Sequence, residues 1–356
     1  MTDYRKIENI PVFFIVGRAR SGTTLLQTML DAHPSVIVPG ESCILMYLKN
    51  KYYRQRDWSN QQVDLFLSDV LKEKKLYRFW KLDINGIKEQ IYAIPETARN
   101  FTLLCKLIYV NYPSLFGHTK VKIIGDKNPI YTLFIEDLIE LFPDAKFIHI
   151  IRDFRDNIVS NREAFSLKNC AALAHAWKYH NAKVENAKLN YPERFIMLRY
   201  EDLAADPANQ MQKICRFLNI TYTPDILHYH EAISKTEYSE NSHLKKIHGN
   251  LLNPVNTNKV DSWKKKLSLT DIALAEYIAG EDAMTYGYLP SIQKTTNFGV
   301  YLKSIYGNLN NRIICFIVIL YYHSPFMFKK MLAFVSKKIH DWFNLKNFYN
   351  QSDFAD

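Results

Sequence analysis

Cysteine is scarce and scattered. The five in 356 residues, Cys43, Cys105, Cys170, Cys215 and Cys315, contain no C-x-x-C pair. Neither a disulfide framework nor a zinc module is therefore expected, and a reducing compartment is the expected setting. Long apolar runs are absent too. The longest, Ile313 to Tyr322, has ten residues, or sixteen if continued to Phe328 across His323 and Pro325. Both fall short of the roughly 20 that a membrane-spanning helix needs. Met1 to Ile10 carries charge throughout and lacks the apolar stretch and small-residue cleavage site of a secretory signal, so a cytoplasmic location is expected. Repeats and low-complexity tracts are missing. Acidic residues are in deficit, 36 Asp and Glu against 46 Lys and Arg, and the net charge of +10 favours an anionic partner such as nucleotide, nucleic acid or lipid headgroup. What remains, 47% hydrophobic and 23% charged, is the balance of a folded globular chain of one elaborated domain.

Short apolar stretches alternate with helical ones. Pro11 to Val16 reads as a buried strand that meets Gly17 at once. From Thr23, Leu25, Leu26, Met29 and Leu30 share a helix face that His33 and Pro34 end. Residues 41–120 show helical periodicity broken by Pro95 and Pro113, the pattern of a helical insertion. Strands follow at Val121 to Gly125, Lys146 to Ile151 and Arg194 to Tyr200. Helices are expected over Tyr131 to Phe142, near Asp156, over Ala171 to Asn190 and over Asp206 to Asn219. This alternation implies an α/β fold with a parallel sheet covered on both faces. The polar, basic stretch Ser234 to Ser262 is a surface segment able to close over a ligand. The apolar run from Ile313, with Lys329, Lys330, Lys337 and Lys338 behind it, admits two readings: a packed C-terminal helix or an interfacial amphipathic segment that touches a membrane.

Gly17 to Thr24 has the G-x4-G spacing of a phosphate loop between strand and helix, where backbone amides can cradle an anion. A nucleoside-triphosphate enzyme places lysine after the second glycine; here Thr23 stands there, and the positive charge is on Arg20. Asp153, at a strand end where a magnesium ligand would stand, is embedded in Arg152-Asp153-Phe154-Arg155, which suits a second phosphate better than a metal. Ser160 lies on the helix that follows, placed to share an anion with Arg152. Two anion sites on adjacent strand ends imply a ligand with two separated phosphate groups.

F-I-V-G-R-A-R-S-G-T-T-L-L at 14–26 and I-I-R-D-F-R-D-N-I-V-S at 150–160 resemble the 5′-phosphosulfate loop and 3′-phosphate motif of the PAPS-dependent sulfotransferases. L-D-A-H-P-S-V at 30–36, Gly40-Glu41, G-D-K-N-P at 125–129, F-P-D-A-K-F at 142–147, the stretch Arg199 to Leu203 and N-P-V-N-T-N-K-V-D-S-W at 253–263 are similar to its tyrosylprotein and carbohydrate branches. The resemblance covers about residues 10–290 and implies a P-loop-like three-layer fold. It divides the chain into a sulfotransferase domain over 1–295 and an apolar, basic helical extension over 296–356. It also implies that Arg18, Arg20, Ser21, Gly22, Thr23 and Thr24 hold the 5′-phosphosulfate of PAPS, and Arg152 and Ser160 the 3′-phosphate. Tyr200 would lie near the adenine. Lys259 or Lys264 would serve the donor lid, because Ser262 stands before Trp263 where relatives place lysine. Phe154 replaces a usual proline, and one extra residue separates Val36 from Gly40.

In this reading Glu41 is the general base and Lys127 stands beside the transferring group, with His33, His118 and His248 as alternative bases. The reaction is in-line transfer from PAPS to an acceptor hydroxyl, a sterol, phenol or glycan, releasing PAP without a metal. A kinase or NTPase is the competing enzyme class, set back by the missing lysine. A basic nucleic-acid or anionic-lipid binding protein is the non-enzymatic alternative, although no nucleic-acid module is visible.

Overall fold

The computed structural model describes residues 4–118, 120–234, 249–292, 298–325, 328–329 and 331. Its centre is a five-stranded parallel sheet of β1 (Val12–Val16), β2 (Val36–Ile37), β3 (Ile123–Lys127), β4 (Lys146–Ile151) and β5 (Phe195–Arg199), in the order β2-β3-β1-β4-β5. Every residue of β1 is buried, as an unbroken apolar run in a parallel sheet requires. Successive side chains point to opposite faces. Phe13 and Ile15 pack with Leu26, Met29 and Leu30 of the helix Thr23–Asp31, while Phe14 and Val16 pack with the insertion and with Tyr131 and Phe147. The sheet is thus covered on both sides, giving the expected α/β layers.

In register, Ile15 lies opposite both Lys127 and Ile148. The carboxyl ends of three neighbouring strands therefore bring the Gly17 loop, Lys127 and Arg152 together, at the kind of crevice where open α/β sheets bind ligands.

Several elements differ in detail from the sequence reading. The two-residue β2 was not anticipated, and the second expected strand begins and ends two residues later, so that it includes Asp126 and Lys127. Asp126 can continue a buried strand because Tyr109 and Tyr131 both donate to its Oδ2. The single helix expected over Tyr131 to Phe142 is a 3-10 turn, Pro129–Leu133, followed by the helix Ile135–Leu141. Asn128 caps the turn, accepting from the Ile130 N–H, and Phe134 at φ −131 breaks the path between the two. β5 stops at Arg199, and Tyr200 opens the helix Tyr200–Ala205.

The region 41–120 is helical throughout its regular elements: Ile44–Tyr52, Asn60–Val70, Lys74–Phe79, Ile84–Tyr92 and Phe101–Val110, with a 3-10 turn at Glu96–Ala98. The long helix Cys170–Asn190, capped by Asn169, packs against both Leu269–Met284 and the C-terminal helix Phe298–His323. Among the described residues no helix is long and apolar enough to cross a membrane. Of the expected closing segment, residues 235–248 lie outside the described residues, as do 332–356.

Candidate active site

The glycine loop is built from conformations that most residues avoid. A Cβ on Gly17 would stand 2.2 Å from the Ile150 carbonyl oxygen, and one on Gly22, at φ 94, would stand 2.6 Å from Cδ2 of Tyr200. Arg20 adopts φ 70, a left-handed conformation costly for a side chain with a Cβ. Helix Thr23–Asp31 starts directly after Gly22, which offers no side chain to cap it. Its first N–H groups lack intrahelical acceptors, the feature that suits a helix start to an anion. Asn157 braces the loop from behind, donating to the Ala19 carbonyl at 2.8 Å and to Ser21 Oγ at 3.1 Å.

Beside the loop, Arg20 Nε donates to Ser160 Oγ at 3.2 Å. Arg152 donates to the backbone oxygens of Arg20 at 3.3 Å and Lys259 at 2.5 Å, and lies over the Tyr200 ring at 4.5 Å. Its Nε is buried with no protein partner. Burial, and then the like charge of Arg152, pulls the Arg20 guanidinium down to about 10. The two neighbouring guanidiniums, Arg152 buried and Arg20 half-buried, repel one another, and a bound anion relieves that repulsion. They face a cavity of about 190 Å³ whose walls include Thr23, Thr24, Ser160, Tyr200, Asn256 and Lys259. Asp156 secures the segment above it, accepting from the Asp261 N–H, the Ser262 hydroxyl and the Trp263 N–H at 2.7–2.9 Å.

Lys127, at the end of β3, is 1% exposed, and its Nζ reaches Glu41 Oε1 at 2.5 Å and Thr24 Oγ1 at 3.2 Å. Burial lowers its pKa, and the Glu41 carboxylate opposes that shift. Lys75, from the insertion, lies 3.5 Å from the other Glu41 oxygen. A carboxylate thus touches a buried ammonium that also touches the anion loop. Behind it, burial pushes Asp126 up to about 6, against the hydrogen bonds from Tyr109 and Tyr131.

The structure brings Arg20, Gly22, Thr23, Thr24, Arg152, Ser160, Tyr200 and Lys259 around one cavity, with Lys127 and Glu41 joined to it through Thr24. Ser21 is buried under Asn157. Arg18 is buried away from the cavity walls, and its charge bears on His180 and Cys315. Lys264 turns outward to Asp261 at 2.7 Å. Of the alternative bases, His33 is bound to the Thr221 carbonyl and the Ser35 N–H, and His118 lies against Asp31. His248 falls outside the described residues. Phe154, in place of the usual proline, is buried against Trp177.

Sequence reasoning missed Asn157, Asp156, Lys75 and Glu163, the last a carboxylate on the cavity wall 3.9 Å from Lys259 Nζ and paired with Lys266. The first two lie inside the quoted 150–160 motif and were available as polar residues one helical turn from Arg152. Lys75 carries no local signal, since only the fold of the insertion brings it to Glu41.

The chain is similar to known proteins in sequence and in fold. The model of a family described as the sulfotransferase family matches residues 11–224. Protein-tyrosine sulfotransferase 1 of Danio rerio is 26% identical over 268 residues, covering 74% of this chain and 68% of its own. The protein-tyrosine sulfotransferase of Drosophila melanogaster is 26% identical over 78% of this chain, which spans about half, 53%, of that relative's length. Among solved structures, the sulfotransferase domain from the curacin biosynthetic pathway has a TM-score of 0.51 at 21% identity, covering 79% of this chain and 99% of its own. The sulfotransferase domain of the Synechococcus PCC 7002 olefin synthase has a TM-score of 0.50 at 22% identity, covering 78% and 94%. These two structures share the fold.

Proposed function

This chain belongs to the sulfotransferase family, and on that premise we propose that it moves a sulfuryl group from PAPS to an acceptor hydroxyl at the cavity between Arg20 and Arg152. The observation that carries this reading is the Lys127 ammonium. It bridges Glu41 and Thr24, so that one cation touches both a carboxylate able to take a proton and the loop able to hold an anion.

In sulfuryl transfer the acceptor oxygen attacks sulfur as the bond to the phosphate oxygen lengthens, and negative charge gathers on that leaving oxygen. Arg20, the start of helix Thr23–Asp31 and the hydroxyls of Thr23 and Thr24 receive the 5′ end of the donor. Arg152 and Ser160 receive its 3′-phosphate, with Arg152 Nε the donor that has no protein acceptor. Tyr200, stacked under Arg152, forms a wall for the adenosine, and Lys259 reaches over it from the lid. Glu41 takes the acceptor proton. Once neutral, it loosens its ion pair with Lys127, whose charge then serves the leaving oxygen as it develops. The sulfuryl group carries less charge than a phosphoryl group, so fixed cations and amides suffice for this step.

A phenolic hydroxyl is the acceptor class we favour over a sterol or glycan, because the two curated relatives named above are protein-tyrosine sulfotransferases. We assign catalysis to residues 1–295, with the 41–120 insertion supplying Lys75 beside Glu41, and treat 296–356 as an extension. All five cysteines are buried thiols outside any disulfide, which suits a reducing, cytoplasmic setting. The test is calorimetry with adenosine 3′,5′-bisphosphate, followed by incubation with labelled PAPS and a panel of tyrosyl peptides, phenols, sterols and glycans. Binding of the bisphosphate and label on a phenol are expected. No bisphosphate binding rejects the reading, and label only on sterol or glycan rejects the phenolic acceptor.

A further inference from the structure

Helix Phe298–His323 has two unlike faces. The inner one is clamped to the body. A Cβ on Gly307 would stand 2.5 Å from Ala171 Cβ, so the helix meets Cys170–Asn190 almost backbone to backbone. Ser304 bonds His175 at 3.1 Å, and Asn50 of the insertion donates to the Tyr322 carbonyl at 3.2 Å. Phe134 packs against both Tyr322 and His323.

The outer face is apolar and open. Phe298, Leu302, Ile305, Leu309, Phe316 and Leu320 are exposed, Phe298 at 74% and Phe316 at 64%, and their spacing of three, four or seven residues lines them along one side, with the exposed Arg312 in the widest gap. Within this helix of 26 residues the stripe from Phe298 to Leu320 runs for about 33 Å. Lone exposed apolar residues are ordinary, but a stripe of this length marks an interaction surface.

Charge identifies the occupant. From Ala283 to His340 the chain has no Asp or Glu, while it has Lys294, Lys303, Arg312, Lys330, Lys337 and Lys338, besides Lys329, which is buried over the rings of Tyr47, Tyr321 and Tyr322. Lys303 and Arg312 lie on the helix itself and are exposed. An apolar stripe with basic residues and no acid complements a sheet of negative headgroups over an apolar interior.

We propose that the outer face of helix Phe298–His323 docks this protein on an anionic lipid bilayer, lying in the headgroup plane. The helix end meets the insertion on the opposite, inner side, where Asn50 donates to the Tyr322 carbonyl and Lys329 lies over the Tyr47 ring. This inference is independent of the donor and acceptor proposed above.

The test is flotation of the full chain with vesicles of phosphatidylcholine alone or mixed with phosphatidylglycerol, for the wild type and for a Leu309→Glu, Phe316→Glu double variant. Both positions are exposed, so the variant should keep its circular dichroism and its affinity for adenosine 3′,5′-bisphosphate. The wild type is expected to bind mixed vesicles at least about tenfold better than neutral ones, weakening with salt, and the variant to lose that binding. Equal binding to both vesicle types, no binding by the wild type, or full binding by the variant overturns the proposal. So does a wild-type dimer in sedimentation that becomes monomeric in the variant without vesicle binding, which would give the face to a second copy.

Discussion

Arg20 is a residue placed against its own backbone preference, at φ 70, and in a buried site beside a second guanidinium. Left-handed backbone costs a residue with a Cβ about 1 kcal/mol or more, so its retention in the loop is explained by its charge rather than by folding. An Arg20→Gly variant separates the two. It should melt no lower than the wild type, and up to about 1 kcal/mol more stable, while sulfuryl transfer falls at least about a hundredfold. Lys127→Ala should lose transfer by about a hundred- to a thousandfold, the range for removing one donor to developing charge. Full turnover in either purified variant refutes its assigned role. Asp126 gives a pH signature. Its folded pKa of about 6 stands above the ordinary 3.8, so its contribution to stability is complete below about pH 4 and is lost as pH rises through 6. Denaturant melts of wild type and Asp126→Asn should therefore diverge over that window, the wild type losing on the order of 2–3 kcal/mol relative to the variant. Parallel curves would count against it. At this scale the sequence was informative where a motif is local: Arg20, Thr24 and Arg152 follow from their own stretches. The contacts of Lys75 with Glu41 and of Tyr109 with Asp126 do not, because other segments of the fold create them; Tyr131 is only five residues from Asp126, but the 3-10 turn that brings it back was not read.

Among the elements, the strands were legible because buried parallel strands are written as continuous Val, Ile and Phe runs, as β1 and β4 are. β2 was not, since two residues leave no period to read. The end of β3 was misread for a physical reason: Asp126 and Lys127 look like a loop by polarity, yet Asp126 is bonded by buried tyrosines and Lys127 is paired with the half-buried Glu41, which lets the strand continue. The segment proposed as the donor lid is held in a way that sequence reading passed over. Asp156 collects three donors from Asp261, Ser262 and Trp263, and Arg152 binds the Lys259 carbonyl. Asp156→Ala should free that segment. The expected result is a raised KM for PAPS with a smaller change in kcat, measured in steady-state assays, and an unchanged KM would show that the lid is held by other means. Gly22→Ala should fail more completely, because its Cβ meets Tyr200 while φ 94 is itself unfavourable. Loss of adenosine 3′,5′-bisphosphate binding by calorimetry is the readout.

At the scale of the molecule, the question is whether the C-terminal helix is part of the folded body or an appendage to it. Composition could not decide, because ten apolar residues serve equally well as a core helix or an interfacial one. The structure gives both properties to one helix by dividing its faces. Its inner face buries Ile314, Cys315, Val318, Tyr321 and Tyr322, residues three and four apart, and the last four join the same core as the insertion and the sheet face carrying Phe14. Such a helix should unfold with the body. Gly307 is the point at which this can be tested without touching the active site or the outer stripe. Any side chain there meets Ala171 Cβ and the backbone of Ala171 and Ala172 within 2.8 Å, and neither backbone can move without shifting the long helix Cys170–Asn190. Overpacking of this kind costs about 1–3 kcal/mol, occasionally more. Gly307→Val should therefore lower the melting temperature of the whole protein in one transition, and amide exchange should quicken in Cys170–Asn190 together with Phe298–His323. If exchange quickens only in the C-terminal helix and the melt is unmoved, the helix folds as a separate unit and the body does not depend on it.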